Sequence, residues 1–204
     1  MENSETQVIP VQNNTSVSEI VQQPSTNIVA DFSRAYKLAI TISKADIIPD
    51  GYKNKPADCA IAIDMADRMG VSPMMVMQNL YVVKGKPSWS GQACKALIEG
   101  SGKFKSGSVR PVYIGTKGTD DRGCYVSAVW ADTGDKVEGP EVTLKMARAE
   151  GWLSKNPKWT NMPELMLAYR ASAFFARVYC PEVLMGVRVE GEVEDIQPAE
   201  RIEL

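Results

Sequence analysis

Between Pro163 and Cys180 the chain reads PELMLAYRASAFFARVYC, which is apolar on nearly every side of a helix. A helix with one apolar stripe lies on a surface, but one that is apolar all round must be enclosed. The rest of the chain therefore has to wrap it. Asn161-x-x-Glu164 has the form of a capping box that would start this helix. Pro181 blocks its continuation past Cys180. Two arginines interrupt it, Arg170 and Arg177. Seven residues at ~100° each return to the same face within about 20°. Guanidiniums on a buried helix either pair with carboxylates or are offered to an anion, and both readings stay open here.

The wrapping has to come from short elements. The 204 residues suit one domain with tails, and 44% hydrophobic residues suffice for a core. Residues 1–30 show no period and read as a disordered, acidic arm. Structure is expected from Asp31, with Phe32, Ala35, Tyr36, Ala39 and Ile42 at helical spacing. A second helix is expected over Pro56–Met69, with Pro56 in its first turn and Gly70 at its end. Leu80–Val83 and Pro87–Gly91 read as a β-hairpin with Lys84 and Lys86 at its tip. A helix over Ala93–Gly100 follows, then two alternating strands, Lys103–Ile114 and Arg122–Ala131. A short strand is expected near Val137 and a helix over Pro140–Glu150. The expected class is α+β, a small antiparallel sheet with a hairpin, flanked by helices.

The chain contains no histidine. That removes Ser-His-Asp and Cys-His nucleophiles and every histidine-containing metal site. Cys59, Cys94, Cys124 and Cys180 are scattered, with no C-x-x-C pair, and read as buried thiols. Gly85-Lys86-Pro87-Ser88 fails as a phosphate-binding loop: Leu80 stands where its first glycine belongs, and Pro87 replaces the magnesium-binding hydroxyl. Glu141 and Lys145 are spaced as an ordinary i,i+4 helix pair and not as a nuclease element. The expectation is a protein that is not an enzyme, with no metal and no cofactor.

Charge divides along the chain. Residues 1–30 carry three acids and no base, and residues 189–204 carry six acids and one base. Between them, residues 31–188 carry 22 bases and 16 acids, a net of +6. Residues 83–110 hold six bases against one acid, among them Lys84, Lys86, Lys95, Lys103 and Lys105. A basic body suits a polyanion, although a merely solvated face has the same composition. Trp89 lies inside this basic run, and Lys155, Lys158 and Trp159 precede the apolar helix. Interleaved cations and rings suit single strands, phosphates meeting charge and bases stacking on rings; for either tryptophan taken alone, core packing is the first expectation. The acidic ends either solubilise the chain or fold back on a basic groove and compete with its ligand.

Two blocks carry a resemblance. GVSPMMVMQNLYVVKGKPSWSGQACKALIEGSGKF (Gly70–Phe104) and WLSKNPKWTNMPELMLAYRASAFFARVYCPEVLMG (Trp152–Gly186) resemble the central and late signatures of the RecT/Redβ family of phage single-strand annealing recombinases. The order of elements is also similar over roughly residues 31–196. The resemblance implies an annealing core over 31–188, and the charge division leaves 189–204 as an acidic tail. It implies ATP-independent binding of single-stranded DNA in a basic groove, assembly into rings or filaments, and pairing with a complementary strand to give an annealed duplex. Carried over by position, the groove would use Lys84, Lys86, Lys103, Lys105, Lys158, Arg170 and Arg177, with Trp89 and Trp159 as weaker candidates; Lys95, within the basic run, is a further DNA-binding candidate. A phage exonuclease or host single-strand binding protein is an implied partner, through a C-terminal region of better-known members beyond the matched segment.

No apolar run reaches the ~18 residues of a membrane span. The N-terminus lacks the order of a signal peptide, so the cytoplasm of a bacterial host is expected. Two rivals share the basic body. One is a single-strand protector or mediator that does not anneal; the other is an interaction protein whose basic face meets an acidic partner.

Overall fold

A computed structural model describes residues 28–83, 85–190 and 192, with side chains from Asp31 onward. The expected acidic arm lies almost wholly outside these residues, as does most of the acidic tail. Helix α1 spans Ile28–Ile42, beginning ahead of the expected Asp31, and packs along α2, Pro56–Met69. Gly70 closes α2 in a left-handed conformation (φ 64°), as its position predicts. The Ser72 hydroxyl caps α3, Pro73–Asn79.

The hairpin follows as β1, Leu80–Val83, and β2, Lys86–Trp89, in antiparallel register from Leu80↔Trp89 to Val83↔Lys86. The Ser90 hydroxyl accepts from Ala93 N and starts α4, Gly91–Gly100. A second sheet holds β3 (Arg110–Ile114), β4 (Gly123–Val129) and β5 (Lys136–Glu138), antiparallel in that order. The first of its strands is shorter than expected. A turn in which Ser108 N donates to Lys105 O, with Gly107 at φ 69°, breaks the ladder, leaving Phe104 in a lone bridge to Trp130.

The expected helix over Pro140–Glu150 is also corrected. Val142–Thr143 forms β6 against β4, and the Thr143 hydroxyl caps a shorter α5, Leu144–Ala149. Two single turns, α6 (Trp152–Lys155) and α7 (Lys158–Asn161), lead into α8, Pro163–Tyr179. The capping box does not form. Asn161 belongs to α7, and the Glu164 carboxylate is taken by Arg122.

Helix α8 is enclosed as its composition demands, except for Leu165 near its start and Val178 near its end. It packs on β4 and α4. Phe175 meets Phe104 and Tyr179 at ring separations of 5.3 and 5.0 Å, and Trp130 stacks on Phe104 at 4.6 Å. Two glycines permit this approach: a Cβ on Gly91 would stand 2.7 Å from Tyr169 Cγ, and one on Gly139 2.8 Å from Phe175 Cδ2.

After a 3-10 turn over Pro181–Leu184, β7 (Arg188–Val189) joins the hairpin in parallel, Ser88↔Arg188 and Trp89↔Val189. The boundary expected at residue 189 therefore moves outward. Val189 is core, and Glu190 N continues the ladder to Trp89 O. The fold is α+β, two small sheets flanked by helices. Among the described residues, no helix is long and apolar enough to cross a membrane.

Candidate nucleic-acid interface

Strand register decides which hairpin residues share a face, because paired residues and residues two apart point the same way. Leu80, Trp89 and Val189 form one row and are buried. Tyr81, Ser88 and Arg188 form the next row on the opposite face, joined there by Lys86 and Val83. Ser88 is buried in the middle of that face, while Tyr81 and Lys86 are exposed and Arg188 is half-buried. One sheet face thus carries a phenol at its edge on β1, Lys86 diagonal to it on β2, and Arg188 across the buried Ser88 on β7.

This face runs on into a cavity. The Tyr81 hydroxyl lies 3.4 Å from the Glu190 carboxylate, and Glu190 lines a small cavity with Trp152, Asn156, Trp159, Tyr169 and Arg170. Partial burial, and then the Glu190 carboxylate, push the Tyr81 phenol up to about 12, so it stays a neutral donor at neutral pH. The Arg170 guanidinium lies 4.0 Å from the Trp152 ring and 5.4 Å from that of Phe174, a cation between aromatic faces. The indole N–H of Trp152 is buried without a hydrogen-bond partner among the described residues.

Arg177, two turns along α8, has a different setting. Its Nη2 donates to Glu192 Oε2 at 2.8 Å and to the Val187 carbonyl at 3.0 Å. The same carboxylate oxygen accepts from Val189 N at 2.7 Å. Arg177, Arg188, Gly186 and Glu192 line an open depression beside β7.

The predicted site residues separate into three groups. Lys86, Lys105 and Lys158 are exposed, with no ion-pair partner among the described residues; Lys84 lies outside those residues. Lys95, half-buried, and Lys103, exposed, are both paired, Lys95 with Glu99 at 3.6 Å and Lys103 with Glu182 at 2.8 Å. Arg177 is paired with Glu192, which is the internal alternative that the sequence left open.

Three residues require correction as surface contacts. Trp89 is 0% exposed and donates its indole N–H to Leu184 O at 3.2 Å, so its ring has no free face. Trp159 is 6% exposed, tilted against Trp152 at 5.3 Å. Arg170 is also 6% exposed, a cavity lining in place of a surface cation. Both tryptophans take the core role because an indole buries more apolar area than any other side chain while its N–H needs one acceptor.

The sequence reading missed Arg188, Trp152, Tyr81 and the two tail glutamates. Arg188 was signalled only by its position in a short apolar run, Val187–Val189, which pairs as a third strand. The cysteines are free and buried, as their scatter suggests. Burial pushes the Cys94 thiol up to about 12 and those of Cys124 and Cys180 up to about 11, leaving them protonated at neutral pH. Comparison of the chain with family models, curated proteins and solved structures finds no match.

Proposed function

We propose that this protein binds single-stranded DNA and anneals complementary strands without nucleotide hydrolysis, in the manner of the RecT/Redβ recombinases that it resembles. The observation that carries the reading is the hairpin face, which Tyr81 shares with Lys86 and Arg188 and which leads through Glu190 to the cavity of Arg170 and Trp152. Annealing has no bond to break. It needs phosphates held by charge while base edges stay free, and a grip indifferent to sequence. Cations sharing a sheet face with an exposed ring meet that requirement.

Assembly is part of the proposal. Phe32, Tyr36 and Ile40 follow each other at i, i+4 and i+8 on α1 and are 40–42% exposed, an apolar stripe that α2 leaves uncovered. We assign it to contact between copies.

Equilibrium titration of a labelled single strand and of its duplex tests the binding half. Preference for the single strand is expected. Equal affinity for duplex would contradict the reading, and no binding to either would turn the basic face toward a protein partner.

A further inference from the structure

We infer that the depression beside β7 is a phosphodiester site built from Arg177, Arg188 and the Val189 amide, and that Glu192 occupies it as the chain's own stand-in anion. The inference rests on the single-strand reading and adds to it a second site and an internal competitor.

The donor set is the argument. A carboxylate oxygen receives a guanidinium N–H at 2.8 Å and a backbone N–H at 2.7 Å, charge-assisted contacts that a phosphate oxygen takes equally well. A second guanidinium, Arg188, lines the same depression with no ion-pair partner among the described residues. Two guanidiniums against one carboxylate leave a net positive site, which suits the spread charge of a phosphodiester better than a single glutamate. The depression is open, and Arg177 keeps a third of its side-chain surface exposed. Arg188 projects from the Tyr81–Lys86 face, so a strand crossing that face reaches this site next.

The surrounding sequence fits a competitor. Residues 189–204 carry six acids, and the two that are described both lie against the arginine-lined sites. Glu190 lines the cavity of Arg170, and Glu192 holds Arg177. When a phosphate takes Arg177, the Glu192 carboxylate is released to water. Binding then becomes an exchange of one anion for another, weaker than filling an empty site by the strength of the internal pair.

The test compares affinities of the full chain for a labelled oligothymidylate across a salt series. Glu192→Gln keeps the shape and an oxygen acceptor for Val189 N but removes the charge. It should bind about five- to tenfold more tightly at low salt, with the gap closing as salt rises. In an Arg177→Gln background the same change should give no gain. Glu192→Asp keeps the net charge and withdraws the carboxylate by one methylene, and it should also bind more tightly. Glu200→Gln removes the same charge elsewhere in the tail and should change affinity less than twofold. If the wild type binds but Glu192→Gln and Glu192→Asp bind no better, or if Glu200→Gln tightens binding as much, Glu192 is only a structural tether and the inference falls. If neither the wild type nor Glu192→Gln binds the single strand, the single-strand reading itself falls and takes this inference with it.

Discussion

The guanidinium of Arg122 and the carboxylate of Glu164 meet at 2.5 Å across 42 residues of sequence, tying the start of β4 to the first turn of α8. Arg122 also donates to the Gly115 carbonyl at 3.2 Å and lies 5.0 Å from the Tyr113 ring, and the Tyr113 hydroxyl donates to Glu164 O at 3.1 Å. The hydrogen bond from Arg122 holds the Glu164 carboxyl below the ordinary 4.5 of a glutamate, with Lys117 adding to the effect.

A carboxylate depressed in the folded state stabilises the fold above its unfolded pKa and loses that contribution as pH falls through its folded pKa. Glu182, held down by Lys103, and Glu138, held down by Lys136, act in the same direction. The thermal midpoint should therefore fall between about pH 5 and pH 3. Glu164→Gln should melt below the wild type at neutral pH and converge with it in acid. Parallel melting curves across that range would show that the pair contributes nothing.

Trp89 gives a prediction with opposite outcomes for its two possible roles. As a core residue with an N–H bonded to Leu184 O, Trp89→Ala should cost about 3–5 kcal/mol. Trp89→Phe should cost about 1 kcal/mol for the lost hydrogen bond, with packing loss added. Folded Trp89→Phe should bind single strands within twofold of the wild type. A loss of affinity at unchanged stability would return the ring to the surface.

Lys86→Ala and Arg188→Ala should weaken binding to all sequences alike. Each should lower the slope of log affinity against log salt by about 0.7, the value for one single-strand phosphate contact. An unchanged slope in both would remove the hairpin face from the interface.

Tyr36→Glu and Ile40→Glu place charge on the apolar stripe of α1 while leaving its buried residues, Ala35 and Ala39, untouched. Sedimentation velocity should show a shift to smaller species with the circular dichroism spectrum unchanged. An unaltered distribution would place the contact between copies elsewhere.

The sequence was most legible where local chemistry decides the outcome. Gly70 closes α2, Pro181 follows the end of α8, and the hairpin strands lie within two residues of their expected bounds because capping, ring closure and alternation are local effects. It misled where a distant partner competes for the same group. Glu164 is placed for a capping box, yet a guanidinium 42 residues upstream offers a charge-assisted pair and leaves Asn161 in the preceding turn. Trp89 sits among lysines in sequence, yet strand alternation turns it inward against Val189, a partner 100 residues away. The site was legible as a set of cations but not as a face. Lys86 and Arg188 share one only through a parallel strand of two residues, too short to carry a period of its own.

The most direct measurement is the rate at which two complementary labelled oligonucleotides pair with the full chain present, in chelator and without ATP. The account predicts faster pairing than in the protein-free control, and a smaller acceleration with Lys86→Ala. Binding of the single strands with no acceleration of pairing would contradict it and leave a protein that holds single strands apart.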